Sequence, residues 1–129
     1  MKKVYIAGKL NDDAVGYIKN MYKMITTADK IRRMGYAVYV PCLDFLSGLV
    51  NGNYEYNDYF QNNTPWLLSS DMVFVLDCWE SSKGTKAEIE IAEQHNIPVY
   101  FDMGRLVMVK FPETEDFYEI SSGILVKEI

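Results

Sequence analysis

The stretch "SSDMVFVLDCWESSKGTKAEIEIA", residues 69–92, spaces its carboxylates in a way that could do chemistry. Asp71 precedes an apolar run, Ser81 and Ser82 fall in a polar loop, Gly84 permits a tight turn, and Glu88 follows as a helical pattern begins. A helix start presents unpaired backbone N–H groups and a partial positive charge, so it holds anions and keeps a nearby carboxylate ionised. The effect is about 0.3–1 kcal/mol at an exposed position. An ionised carboxylate in a dry pocket can serve as nucleophile, general base or stabiliser of a cation. The same residues also suit a solvated helical face, because acids are favoured at any helix start. Glu90 stands about 200° around the helix from Glu88, so the two cannot serve one site.

Positioning such groups needs strands and helices. Four short apolar runs bounded by turn residues are predicted as buried strands, over residues 2–7, 36–40, 72–77 and 97–101. Between the first two, Ile18, Tyr22, Ile25, Ala28, Ile31 and Met34 recur at helical spacing, and Gly35 is placed to end the helix. A second helix is predicted near Tyr59–Leu68 and a third over Thr85–His95, which puts Glu88 in its first turn, with Asn96 as its stop. Alternating strands and helices imply one α/β domain over 1–129: a doubly wound, Rossmann- or flavodoxin-like parallel sheet of four to five strands, with helices on both faces. Ligands in such sheets bind at the carboxyl ends of the strands, which points to Ala7–Leu10, Pro41–Asp44, Asp77–Gly84 and Asp102. The polar, aromatic segment 47–66 reads as a long functional loop. Beyond Met103, "LVMVKF" and "GILVKEI" suggest a hairpin or edge strand.

With 129 residues and a net charge of −5, the chain is a single acidic domain with no general affinity for nucleic acid backbones. No run approaches the length of a membrane span. Cys42 and Cys78 lack CxxC spacing and there is one histidine, His95, so a structural zinc site is not expected; both cysteines sit beside strand-like runs and read as buried free thiols of a cytoplasmic protein. His95 and Cys42 read as structural.

Four stretches resemble the nucleoside 2-deoxyribosyltransferase superfamily, especially its small phage and bacterial members: "VYIAGKL", "YAVYVPCLD", residues 69–92 and "HNIPVYF". The resemblance covers about residues 2–102, and the third stretch is the specific one. It implies that Glu88 is the nucleophile attacking the anomeric carbon of a sugar, giving a glycosyl–enzyme ester. Asp71 is implied to position the sugar or the departing base and its proton. Tyr5 is implied to lie near the nucleophile, and Gly8, Lys9, Asp44, Ser81, Ser82 and Gly84 to contact substrate. Ser82 stands six residues before Glu88, where base-exchanging transferases carry an Asp and nucleotide N-hydrolases a Ser. A hydroxyl at a helix N-terminus can donate to a 5′-phosphate that a carboxylate would repel, so a 5′-monophosphate is the preferred substrate and hydrolysis the preferred outcome. No metal or organic cofactor is implied. The expected partners are a small nucleoside or nucleotide and further copies of the chain, since family members assemble as dimers or larger; Trp66 and the tail are the surfaces expected to be used.

The resemblance weakens at Glu90, where many relatives carry Gly, and across Asp44–Trp66; Asn11, Asp12, Tyr54, Tyr56, Tyr59 and Phe60 are candidates to stack on or hydrogen-bond a base, or else to pack a lid or a subunit interface. Two other classes compete. One is a non-catalytic nucleotide-binding sensor or sequestering module. The other is a phosphoribohydrolase-like Rossmann protein, against which the missing PGG-type run before Gly84 counts.

Overall fold

The apolar runs become strands, and all of them are parallel. A computed structural model describes residues 1–110, ordered β1 (Lys3–Ala7), α1 (Ala14–Arg33), β2 (Ala37–Tyr39), α2 (Cys42–Asn51), α3 (Tyr56–Leu68), β3 (Met72–Val75), α4 (Lys83–Gln94), β4 (Val99–Tyr100) and α5 (Met103–Lys110). A 3-10 turn, Trp79–Ser81, precedes α4. The sheet runs β2-β1-β3-β4, with Tyr5 level with Tyr39 on one side and Val73 on the other. Strand order therefore reverses between β1 and β3, and a crevice opens there at their carboxyl ends.

Alternation along each strand makes two cores. Val4, Ile6, Met72 and Phe74 face Met24, Ala28 and Ile31 of α1 and Leu106 and Val107 of α5. Tyr5, Ala7, Val73 and Val75 face Leu67 of α3 and Ala92 of α4. Burying each of these large side chains contributes about 1.5–3 kcal/mol. The first helix starts where Asp13 accepts the Gly16 N–H (2.8 Å) and ends before Gly35, whose φ of +100° suits a residue with no Cβ. Its periodicity resolves into two stripes. Met24, Ala28 and Ile31 are buried, whereas Val15, Ile18, Tyr22 and Ile25 line an exposed one. Asn96 ends α4 in the left-handed region, as its position after the last apolar residue suggested.

Two expectations are corrected. Segment 47–66 is no long loop: α2 and α3 fill most of it. Gly52, at φ +81°, stops α2, and three residues later the Glu55 N–H donates to Asp58 Oδ2 (2.7 Å), starting α3 as one arm of a capping box. Pro65 lies inside α3 without ending it. Likewise "LVMVK" is helical rather than extended. Asp102 accepts the Gly104 N–H (2.8 Å), and the Tyr36 hydroxyl donates to the Leu106 carbonyl (3.1 Å), turning Leu106 and Val107 into the core. The "GILVKEI" expectation lies outside the described residues. No helix among them is long and apolar enough to cross a membrane.

Helices α2 and α3 meet at Gly48, where a Cβ would fall inside the Tyr59 hydroxyl. Gly48→Ala gains about 1 kcal/mol of helix propensity. That gain is smaller than the steric cost, so the variant should be less stable by about 1–3 kcal/mol in urea denaturation.

Candidate active site

Glu88 projects from α4 into the crevice, and the hydroxyl of Tyr5, from the middle of β1, donates to its Oε2. These two residues are 83 apart in sequence and are joined only because β1 and β3 are neighbours under α4. Tyr5 is fully buried, and its ring stacks on Tyr39 (5.5 Å between centroids), which stacks in turn on Trp66 (5.6 Å). Trp66 is thereby tied by one face to the sheet while half of it stays exposed.

A cavity of about 80 Å3 adjoins Glu88. Gly8 after β1, Pro41 after β2 and Gly84 at the start of α4 line it, all from carboxyl ends of strands. Ile6, Leu10 and Met24 add apolar wall, and the opposite side is α3, with Tyr56, Tyr59, Phe60, Asn63 and Thr64 at helical spacing. At Gly8 a Cβ would come within 2.6 Å of Leu76 Cδ1, so a larger residue there would have to push the Leu76 side chain aside. The Tyr56 ring lies over Gly84, 3.4 Å from where a Cβ would stand.

The electrostatics differ from the expectation. The fourth helix begins at Lys83, so Glu88 is in its second turn, and no acid occupies the first. Helix-end charge fades within one turn, which leaves burial in control. Burial pushes the Glu88 carboxyl up to about 7 against the opposing pull of the Tyr5 hydrogen bond. Burial, followed by the charge of Glu88, holds the Tyr5 hydroxyl well above the ordinary phenol range, so Tyr5 remains the donor. A carboxylate that is half protonated near neutrality and carries a fixed phenolic donor can act as either nucleophile or acid–base group.

The other expected residues fall in different places. Gly8 and Gly84 join Glu88 and Tyr5. Asp44, in the first turn of α2, lines an adjoining polar groove with Asn62 and Asp58. One of its carboxylate oxygens is buried without a hydrogen-bond partner among the described residues, and its charge reaches Tyr5, Tyr39 and Tyr59. Ser82 caps α4, its Oγ accepting from the Thr85 N–H (3.2 Å) and hydroxyl (2.9 Å), which leaves its own proton to donate. Ser81 donates back to the Cys78 carbonyl (3.2 Å), and Lys9 pairs with Asp12 (3.8 Å).

Asp71 is not brought to the pocket. It precedes β3, at the amino end of the sheet, where its Oδ2 accepts the Lys3 N–H (2.7 Å). A polar residue of the cavity wall that the sequence did not single out is Asn63, whose Oδ1 accepts from the Tyr39 hydroxyl (2.9 Å). No pattern around Asn63 marks it, because its partner Tyr39 lies on another element.

His95 caps the far end of α4, its Nδ1 2.9 Å from the Ile91 carbonyl, and burial pushes the Cys42 thiol up to about 11. Cys42 is buried as expected, whereas Cys78 is exposed, because the chain leaves the sheet after β3 and turns outward there. Asp77, just after β3, pairs with Lys23 of α1 and so ties the crevice loop to the opposite face.

Residues 2–101 match the family described as a domain of unknown function, DUF4406. The chain belongs to that family. The DUF4406 match spans β1 through β4 and so contains Tyr5, Asn63, Gly84 and Glu88, while α5 falls beyond it. No curated protein matches the chain.

Proposed function

We propose that the chain cleaves the N-glycosidic bond of deoxynucleosides or their 5′-monophosphates through a glycosyl–enzyme ester on Glu88, with hydrolysis of the monophosphate as the preferred outcome. The observation that carries this reading is the Tyr5–Glu88 hydrogen bond at the cavity wall. A carboxylate there can attack an anomeric carbon, and its charge stabilises the oxocarbenium-like transition state. The resemblance of residues 69–92 to the nucleoside 2-deoxyribosyltransferase superfamily points the same way. Ser82, with a free proton at the start of α4, and the N–H groups of that helix turn suit a 5′-phosphate.

The test is release of free base, followed by chromatography, from each deoxynucleoside and each 5′-monophosphate, with and without an acceptor base. Base released from a monophosphate in water and lost in Glu88→Ala is the expected result. Exchange only when an acceptor base is present moves the activity to a transferase. Ligand binding without turnover on any substrate favours the non-catalytic sensor.

A further inference from the structure

Breaking an N-glycosidic bond leaves the bonding electron pair on the base, so a group able to stabilise that charge is needed opposite Glu88. The cavity wall supplies few. Ile6, Gly8, Leu10, Met24, Pro41 and Phe60 carry no side-chain donor. The Thr64 hydroxyl is occupied, bonded to the Phe60 carbonyl (2.6 Å). The Tyr59 hydroxyl is turned against Gly48, and Tyr56 lies at the rim, 61% exposed. Asn63 remains. The Tyr39 hydroxyl donates to its Oδ1 (2.9 Å), so the amide NH2 is the half left for a ligand. Tyr39 itself is held by the stack between Tyr5 and Trp66.

We infer that Asn63 is a catalytic residue for departure of the base, its side-chain NH2 donating to a ring nitrogen or carbonyl oxygen of the leaving base, with Tyr39 as the residue that fixes the amide. The inference rests on the glycosidic reading above. In the step, a Glu88 oxygen forms a bond to the anomeric carbon while the carbon–nitrogen bond breaks. The electron pair goes to the base, whose charge the amide hydrogen bond spreads, and a proton from water finally neutralises it. Water then hydrolyses the ester and frees Glu88. An amide has no proton to transfer, so the chain depends on the acidity of the base it expels. A leaving group that departs unaided as an anion gains nothing from Asn63.

The experiment compares base release from the best deoxynucleoside 5′-monophosphate with phenolate release from 4-nitrophenyl 2-deoxyriboside 5-phosphate. It uses the native chain, Asn63→Ala, Tyr39→Phe and Glu88→Ala. Asn63→Ala should slow base release about 10²-fold, the cost of one lost transition-state donor. Phenolate release should stay within a few-fold of native. Tyr39→Phe, which removes one hydroxyl and serves should Asn63→Ala fail to fold, should give a smaller loss with the same selectivity. Equal slowing of both substrates in both variants, or unchanged base release in Asn63→Ala, overturns the role of Asn63 while the glycosidic reading stands. A native chain silent on both substrates, or Glu88→Ala as active as native, overturns the glycosidic reading and this inference with it.

Discussion

Glu88→Gln should abolish base release and, above pH 7, make the protein more stable than the native chain. The two effects share one cause. Burial raises the Glu88 carboxyl from its ordinary 4.5 to about 7. Between those values the folded chain binds more protons than the unfolded chain, so native stability falls as pH rises through the window, and the loss is complete above about 7. At about 1.4 kcal/mol per unit, the charge costs the fold about 3 kcal/mol at pH 8. Glutamine keeps the volume and can still accept from Tyr5, yet it carries no charge to desolvate. Urea denaturation at pH 4 and pH 8 checks this: the variant should match native at pH 4 and exceed it by about 3 kcal/mol at pH 8. A glutamine amide cannot form the glycosyl ester, so activity should fall by about 10⁴-fold or more.

Tyr5→Phe should lower activity at pH 7 by about 10- to 100-fold. It should also move the acidic limb of the pH profile to higher pH. The phenolic hydrogen bond is the one influence pulling the Glu88 pKa down against burial. Its removal leaves burial unopposed, and a smaller share of Glu88 is ionised at neutrality. In the native chain, kcat/KM should rise through about pH 7 and then level off. In the variant the levelling comes later, so most of the lost activity returns at pH 9. A uniform loss at every pH would mean that the Tyr5 hydroxyl orients Glu88 without tuning its ionisation.

The sheet was legible in the sequence because its central strands are buried on both faces, and the runs Val4–Ala7 and Met72–Val75 have no other place to go. Caps were legible where one residue type does the work, as at Gly35 and Asn96. The α2–α3 segment was not: its Asn, Gly and Tyr content resembles a loop, and the helix restarts on a bond from the Glu55 backbone N–H to the Asp58 carboxylate. Glu88 was legible as a position, but its electrostatics depended on depth, which spacing along one helix cannot report. Asp71 and Asn63 fail in opposite ways. Asp71 is close to Glu88 in sequence but at the other end of β3, whereas Asn63 is distant and reaches the pocket only through the packing of α3 and Tyr39.

The cavity beside Glu88 measures about 80 Å3, room for a few waters, whereas pockets for small ligands run from about 300 Å3 upwards. Tyr56, lying over Gly84, belongs to a helix joined to its neighbours through the Gly52–Glu55 turn at one end and Ser69–Ser70 at the other. If the proposed function holds, a nucleotide must displace the Tyr56 side of α3 to enter, and the fraction of chains open enough to admit it divides directly into the affinity. On that reading, substitutions far from the chemistry, in the Gly52–Glu55 turn, should change how fast a ligand is taken up rather than how it is transformed.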